Sequence, residues 1–318
     1  MANEIPLYDW LKVLNDEYLS TFIAEGGASI KFAVTPESRK LELSEAIESR
    51  CRDLDYIVVK LNAAKTKIHM PQDIFFEMAR QVEWRRLARR LILRLAKEGG
   101  YQVDNIDPRT AENIFETVAH VNNLDLQFVL QELRPKIQDE VFKEYSMAKD
   151  FRVAMTHLCW SENSRPNQYG GQPLIDWLTG MNTKVSSVKS FSINTAINRV
   201  TARHFIESAL FWFRHTGCGG TVILIDNSRV AIPRNPRDGL RYYTRAMVLD
   251  HYELLREFVD GTDHLTGALL LIMTDRTFTD PDARFRGFGM YQALQTRIMD
   301  DVRDENLVNP LASLVRIS

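Results

Sequence analysis

Apolar residues recur at helical spacing near the start of the chain. Leu7, Trp10, Leu11, Leu14, Tyr18 and Phe22 predict an amphipathic helix over 5–25 that stops at Glu25-Gly26-Gly27. A strand is predicted at 28–34, a helix at 37–52 and a strand at 55–63, "DYIVVKLNA". With connections this short, the three read as a right-handed βαβ unit. From 71 to 216 the periodicity is helical, except for a looser tract at 160–195 that holds one short helix. The last third returns to strands. "GGTVILID" (219–226) and "GALLLIMTD" (267–275) are unbroken apolar runs, the pattern of parallel strands covered on both faces. A helix at 239–260 separates them, a helix follows at 289–301, and "SLVRIS" is a fifth strand.

The expected fold is therefore α/β, a parallel sheet flanked by helices and interrupted by a helical insertion. Residues 1–65 hold the N-terminal helix and first βαβ unit, 66–216 the insertion, and 217–318 the remaining strands and helices.

Composition narrows the function classes. With 318 residues and 45% hydrophobic content, the chain can bury one large or two smaller cores. A formal net charge of -2 gives no global bias towards nucleic acid or membrane. Cys51, Cys159 and Cys218 are widely separated, with no disulfide framework and no metal-ligand spacing. No metal is expected, and the compartment is read as the cytoplasm. The first residues are too polar for a signal peptide, and no stretch nears the ~18 apolar residues of a membrane span.

In an open parallel sheet, ligands bind beyond the carboxyl ends of the strands. There the sequence places "TPESRKLE" after the first strand, Asp226, Asn227 and Ser228 after "TVILI", and Thr274, Asp275 and Arg276 after "ALLLIM". A loop after strand one, a strand ending in Asp and a strand ending in a small polar residue form the layout of a P-loop ATPase. On these stretches, with "INRVTARHFIESALFWFRHTGCGGTVILID" and "GFGMYQALQTRI", the chain resembles the AAA+-like P-loop ATP-binding proteins of bacterial BREX phage-defence systems, over about residues 15–317. The resemblance implies an AAA+-like sheet, a Gly-rich phosphate loop with Mg-ATP, and a helical lid after the last strand. The sequence ends at Ser318, so the fold is expected without that lid.

The nucleotide motifs depart from the family pattern. Thr35, Pro36, Glu37, Ser38, Arg39 and Lys40 stand where the loop's glycines and its Lys-Ser/Thr would be. Pro36 lacks an N–H to give to a phosphate. Thr35, Ser38 and Lys40, the last with a one-residue shift, are the remaining cofactor-binding candidates. Asp226 keeps the Mg²⁺-holding carboxylate, but Asn227 replaces the glutamate that would activate water. That change alone slows hydrolysis by about 10²–10⁴. Thr274 falls at a sensor position and Arg297 where relatives carry an arginine for a neighbouring subunit. The resemblance implies these four as vestigial catalytic positions.

Arginines mark a second class of candidates. Arg85, Arg86, Arg89 and Arg90 lie on "EWRRLARRLILRLAK"; Arg229, Arg234 and Arg237 follow Asp226; Arg284 and Arg286 follow Asp275. Each group reads either as contacts to DNA or a partner, or as flanks paired with acidic neighbours. Three readings result. The first is a non-hydrolysing subunit that scaffolds or regulates other defence proteins, with no cofactor expected. The second is an ATPase using Lys40, Asp226 and Thr274 with Mg-ATP, completed in a homo-oligomer by Arg297. The third is a DNA-binding module.

Overall fold

The computed structural model describes residues 4–163, 170–280, 286–299 and 309–318. The chain forms two compact units, one from residues 1–78 with 218–318, the other from 79–217.

The first unit is built on five parallel strands: β1 Ala28–Val34, β2 Tyr56–Asn62, β3 Gly220–Asp226, β4 Ala268–Thr274 and β5 Leu314–Arg316. Their order is β2-β3-β4-β1-β5. The expected βαβ unit is thus stretched: β1 and β2 share the sheet and direction, yet β3 and β4 lie between them. β3 and β4 lie inside the sheet and are covered by helices on both faces, which is why both are apolar runs without alternation.

One face carries α1 (Leu7–Val13) and α2 (Glu37–Asp53), packed on Ala33, Val222, Leu224, Leu269, Leu271 and Val315. After α1 the chain continues as a π-helix, Leu14–Phe22. Its wider turn slips the apolar face by one residue. Leu19 and Ile23 enter the core, while Phe22, expected there from α-helical spacing, is 46% exposed. The other face carries α10 (Arg245–Asp260) and α11 (Gln292–Met299). Here Phe278 joins the layers: it stacks on Phe32 of β1 at 5.8 Å and on Phe288 at 5.1 Å, and meets the edge of Tyr252 of α10 at 5.8 Å. α10 starts later than the apolar pattern suggested, at Arg245 instead of 239, because 231–244 forms a loop.

Gly287 explains part of the "GFGM" stretch. A Cβ there would lie 2.6, 2.7 and 2.8 Å from the carbonyl oxygens of Phe278, Thr277 and Asp280. Gly287→Ala is expected to lower stability by about 1–3 kcal/mol, the range for forced overpacking. Thermal melting checks this, and an unchanged midpoint would show that the loop gives way freely.

The second unit is helical: α4 Trp84–Glu98, α5 Ile114–Val121, α6 Leu126–Ile137, α7 Lys149–Ser161, α8 Gln172–Leu178 and α9 Ala202–His215. The chain enters it along α3, Pro71–Arg80. Its core is aromatic. Trp84 lies against Phe151 and Phe213, and Phe205 against Phe151 and Trp177. Among the described residues no helix is long and apolar enough to cross a membrane.

Candidate functional site

α2 starts directly after β1, with Pro36 at the N-cap and Glu37 in the first turn. One turn later Lys40 points inward, its side chain only 7% exposed. The Lys40 ammonium donates to Glu37 Oε2 at 2.8 Å and to the Ser228 hydroxyl, and lies 3.6 Å from Asp226 Oδ1. Ser228 donates its backbone N–H (3.1 Å) and its hydroxyl to the same Asp226 oxygen, and Asn62 Nδ2 donates to the other at 3.2 Å. The sheet order makes this possible: α2 covers the face towards which even-numbered β3 residues point, so Asp226 meets Lys40.

The charge balance of this cluster is one lysine against two carboxylates. Thr35 is spent elsewhere: its N–H donates to Thr274 O at 2.8 Å and its hydroxyl to Ala33 O at 3.4 Å. Ser38 is exposed. Of the three loop candidates, only Lys40 is brought to Asp226.

Asn227 and Thr274 go to the opposite face. Strand side chains alternate, so Asn227 turns under α10 while Asp226 turns under α2. Both Asn227 and Thr274 are 1% exposed. The Asn227 amide lies 2.9 Å from His251 Nε2, and His251 Nδ1 lies 3.0 Å from Ile68 O. A neutral ring donates through Nδ1 to that carbonyl, so Nε2 accepts. The structure sets Asn227 Oδ1 towards Nε2 and leaves the amide nitrogen buried without a partner; turning the amide over would let that nitrogen donate to the ring. Burial lowers the His251 pKa to about 4. Arg297 is not brought to this edge. It pairs with Asp260 at the last residue of α10, the sheet's opposite end.

Beside the cluster, a cavity of about 470 Å³ opens above β4, β1 and β5, lined by Thr35, Pro36, Asp275, Arg276, Arg316 and Glu4. Arg276 pairs with Glu4 at 2.6 Å. Neither Lys40 nor Asp226 lines it.

The loop arginines divide. Arg229 holds Asp238 with two bonds of 2.7 and 2.9 Å. Arg286 donates to the carbonyls of Ile232 and Tyr243 and to the Tyr242 hydroxyl, its guanidinium over the Tyr242 ring. These two pin the loop from inside. Arg234 and Arg237 are exposed. Arg284 lies outside the described residues. In the helical unit, Arg85 and Arg89 turn to the fully buried Glu162, Arg86 pairs with Glu83, and Arg90 donates to Gly217 O at 2.6 Å. Leu93, set among these arginines, is 8% exposed.

Sequence reasoning missed Asn62, Ser228 as a lysine partner, His251 and Glu162. Asn62 ends β2, and inspecting every strand end would have found it. The others meet their partners only through the packing of distant segments. Among the described residues no cluster of His, Cys, Asp and Glu fits a metal ion. The three cysteines are free and buried.

No curated protein and no solved structure matches the chain. One family model, BREX system ATP-binding protein BrxC/D, matches residues 20–318. That span takes in the parallel sheet, the helical unit and the cluster at the strand ends, and the fold is P-loop-like. The chain belongs to the BREX system ATP-binding protein BrxC/D family, and is a subunit of a phage-defence system.

Proposed function

We propose that this chain is a pseudo-ATPase within its defence system, a non-hydrolysing subunit that scaffolds or regulates partner proteins through the carboxyl edge of its sheet. The observation that carries this reading is the closed cluster at Lys40. Among the described residues, Lys40, the loop candidate brought to Asp226, is already bound by Glu37, Ser228 and Asp226, and its two carboxylates repel an anion. Pro36 gives no N–H to a phosphate. Asn227, at the position of the water-activating glutamate, is buried under α10 and engaged by His251.

Calorimetry with Mg-ATP and Mg-ADP, alongside thermal melting, tests the proposal. The expected result is no heat and no shift of the melting midpoint at millimolar nucleotide. A ligand at 100 times its Kd would add about 2.7 kcal/mol of stability, which is easily seen.

A second reading rests on a specific approach: Lys40 and Asp226 lie 3.6 Å apart, the lysine–acid pairing that phosphate and Mg²⁺ would need. Micromolar binding abolished by Lys40→Ala would establish this reading and sink the first. DNA association would be read from retention on duplex DNA that falls steeply with salt.

A further inference from the structure

We propose that the loop after β3 and the turn after β2 form a surface for the phosphate backbone of duplex DNA, one that works whether or not nucleotide binds at Lys40. Five exposed cations carry it: Lys65 and Lys67 on the turn, Arg234 and Arg237 on the loop, and Arg245 opening α10. Among the described residues, none of these five side chains has an ion pair or hydrogen bond. All five lie in the sheet unit. The loop packs on the turn: Arg241 donates its backbone N–H to Ala64 O and its guanidinium to Lys65 O, both at 3.2 Å. The Tyr243 hydroxyl lies 2.9 and 2.8 Å from Ala63 O and Thr66 O, which ties the start of α10 to the same turn.

The charges around this surface favour a polyanion. Residues 229–245 hold one carboxylate, Asp238, and Arg229 already neutralises it with bonds of 2.7 and 2.9 Å. The turn 63–70 holds none. Asp73 of α3 and Asp250 of α10 lie near enough to act on the buried His69, and against them the five cations and Arg241 still leave a surplus. The loop is also held in shape before any ligand arrives. Arg286 grips the carbonyls of Ile232 and Tyr243, and Tyr242 donates its hydroxyl to Pro233 O at 3.2 Å. A loop fixed from beneath loses little freedom on binding. The first turn of α10 has no acidic residue, so the positive end of the helix adds to the same field.

An open row of cations selects a backbone over a small anion. A phosphate ester is held by one or two guanidinium groups in a walled site, whereas these cations stand exposed on two chain segments and a helix start. Successive phosphates of a duplex engage such a row and release their counterions. The formal net charge of the chain is -2, so the attraction belongs to this patch and not to the molecule as a whole.

Fluorescence anisotropy of the full chain with two labelled duplexes of unrelated sequence, from low to physiological salt, tests this. The expected result is equal affinity for both, with log affinity falling against log salt at a slope of about -4. Arg234→Gln with Arg237→Gln should weaken binding about tenfold and reduce that slope by about 2, and Lys65→Gln with Lys67→Gln should do the same. Lys12→Gln, which removes an exposed cation of α1, and Lys40→Ala should leave binding unchanged. Unaltered melting of the double variants separates lost binding from lost folding. No binding at low salt overturns the proposal, as does binding that both double variants retain or that Lys40→Ala abolishes. Poly-glutamate bound as tightly as DNA, and lost in the same variants, overturns it in favour of an acidic protein segment. Failure here leaves the pseudo-ATPase reading standing, because the Mg-ATP titration tests that separately.

Discussion

Glu162→Ala should lower the stability of the helical unit by about 3–5 kcal/mol, the usual loss when one partner of a buried ion pair is removed. Glu162 is fully buried and takes the Nε–H of Arg85 at 2.8 Å and that of Arg89. The Arg89 side chain is only 8% exposed, so without the carboxylate its charge stays desolvated and uncompensated. An exposed pair offers the contrast. Arg94→Ala, which breaks contacts to Glu98 and Glu140, should lose under about 1 kcal/mol. Urea unfolding monitored by hydrogen exchange in α4 and α7 measures both. A loss below about 1 kcal/mol for Glu162→Ala would mean that the arginines swing out to water, and that α4 does not depend on this contact.

How far the sequence reveals this depends on the range of the interaction. β3 and β4 were legible because a strand buried on both faces is apolar almost throughout, and the runs end on Asp226 and on Thr274 followed by Asp275. Lys40 and Asp226 were legible as candidates because their order along the chain matches the family layout. Strand order was not: an apolar run does not say which run it pairs with, and β1 lies beside β4 and β5 from the far end of the chain. Nor was the register of the first helix, since Leu19 and Ile23 enter the core, Phe22 turns out and Tyr18 stays only partly buried through a π-turn that spacing does not announce. Glu162 reads as a surface residue in a polar tract. Its burial follows from the packing of α7 near α4, a contact between segments more than seventy residues apart.

The pH dependence of stability should expose the second large effect, centred on His251. Its folded pKa is about 4, lowered chiefly by burial, against about 6.5 when unfolded. Between these values the unfolded chain binds a proton that the folded chain refuses. Stability is therefore fully present above about pH 6.5 and falls as pH drops towards 4, by about 3 kcal/mol from this residue. Burial also lowers the pKa of His69, His157 and His215, so their contributions have the same sign. Denaturation midpoints across this window, compared between the natural chain and His251→Gln, isolate the term. The variant should start less stable at pH 8, because the contact to Asn227 is disturbed, yet lose less on acidification. The opposite slope would mean a charged ring donating from both nitrogens, to Ile68 O and to Asn227 Oδ1. The experiment thus also decides which atom of Asn227 meets the histidine. A neutral ring leaves the amide donating into the fold, held on the face of the sheet away from Lys40 and Asp226. That is the arrangement the proposed non-hydrolysing role requires of this strand edge.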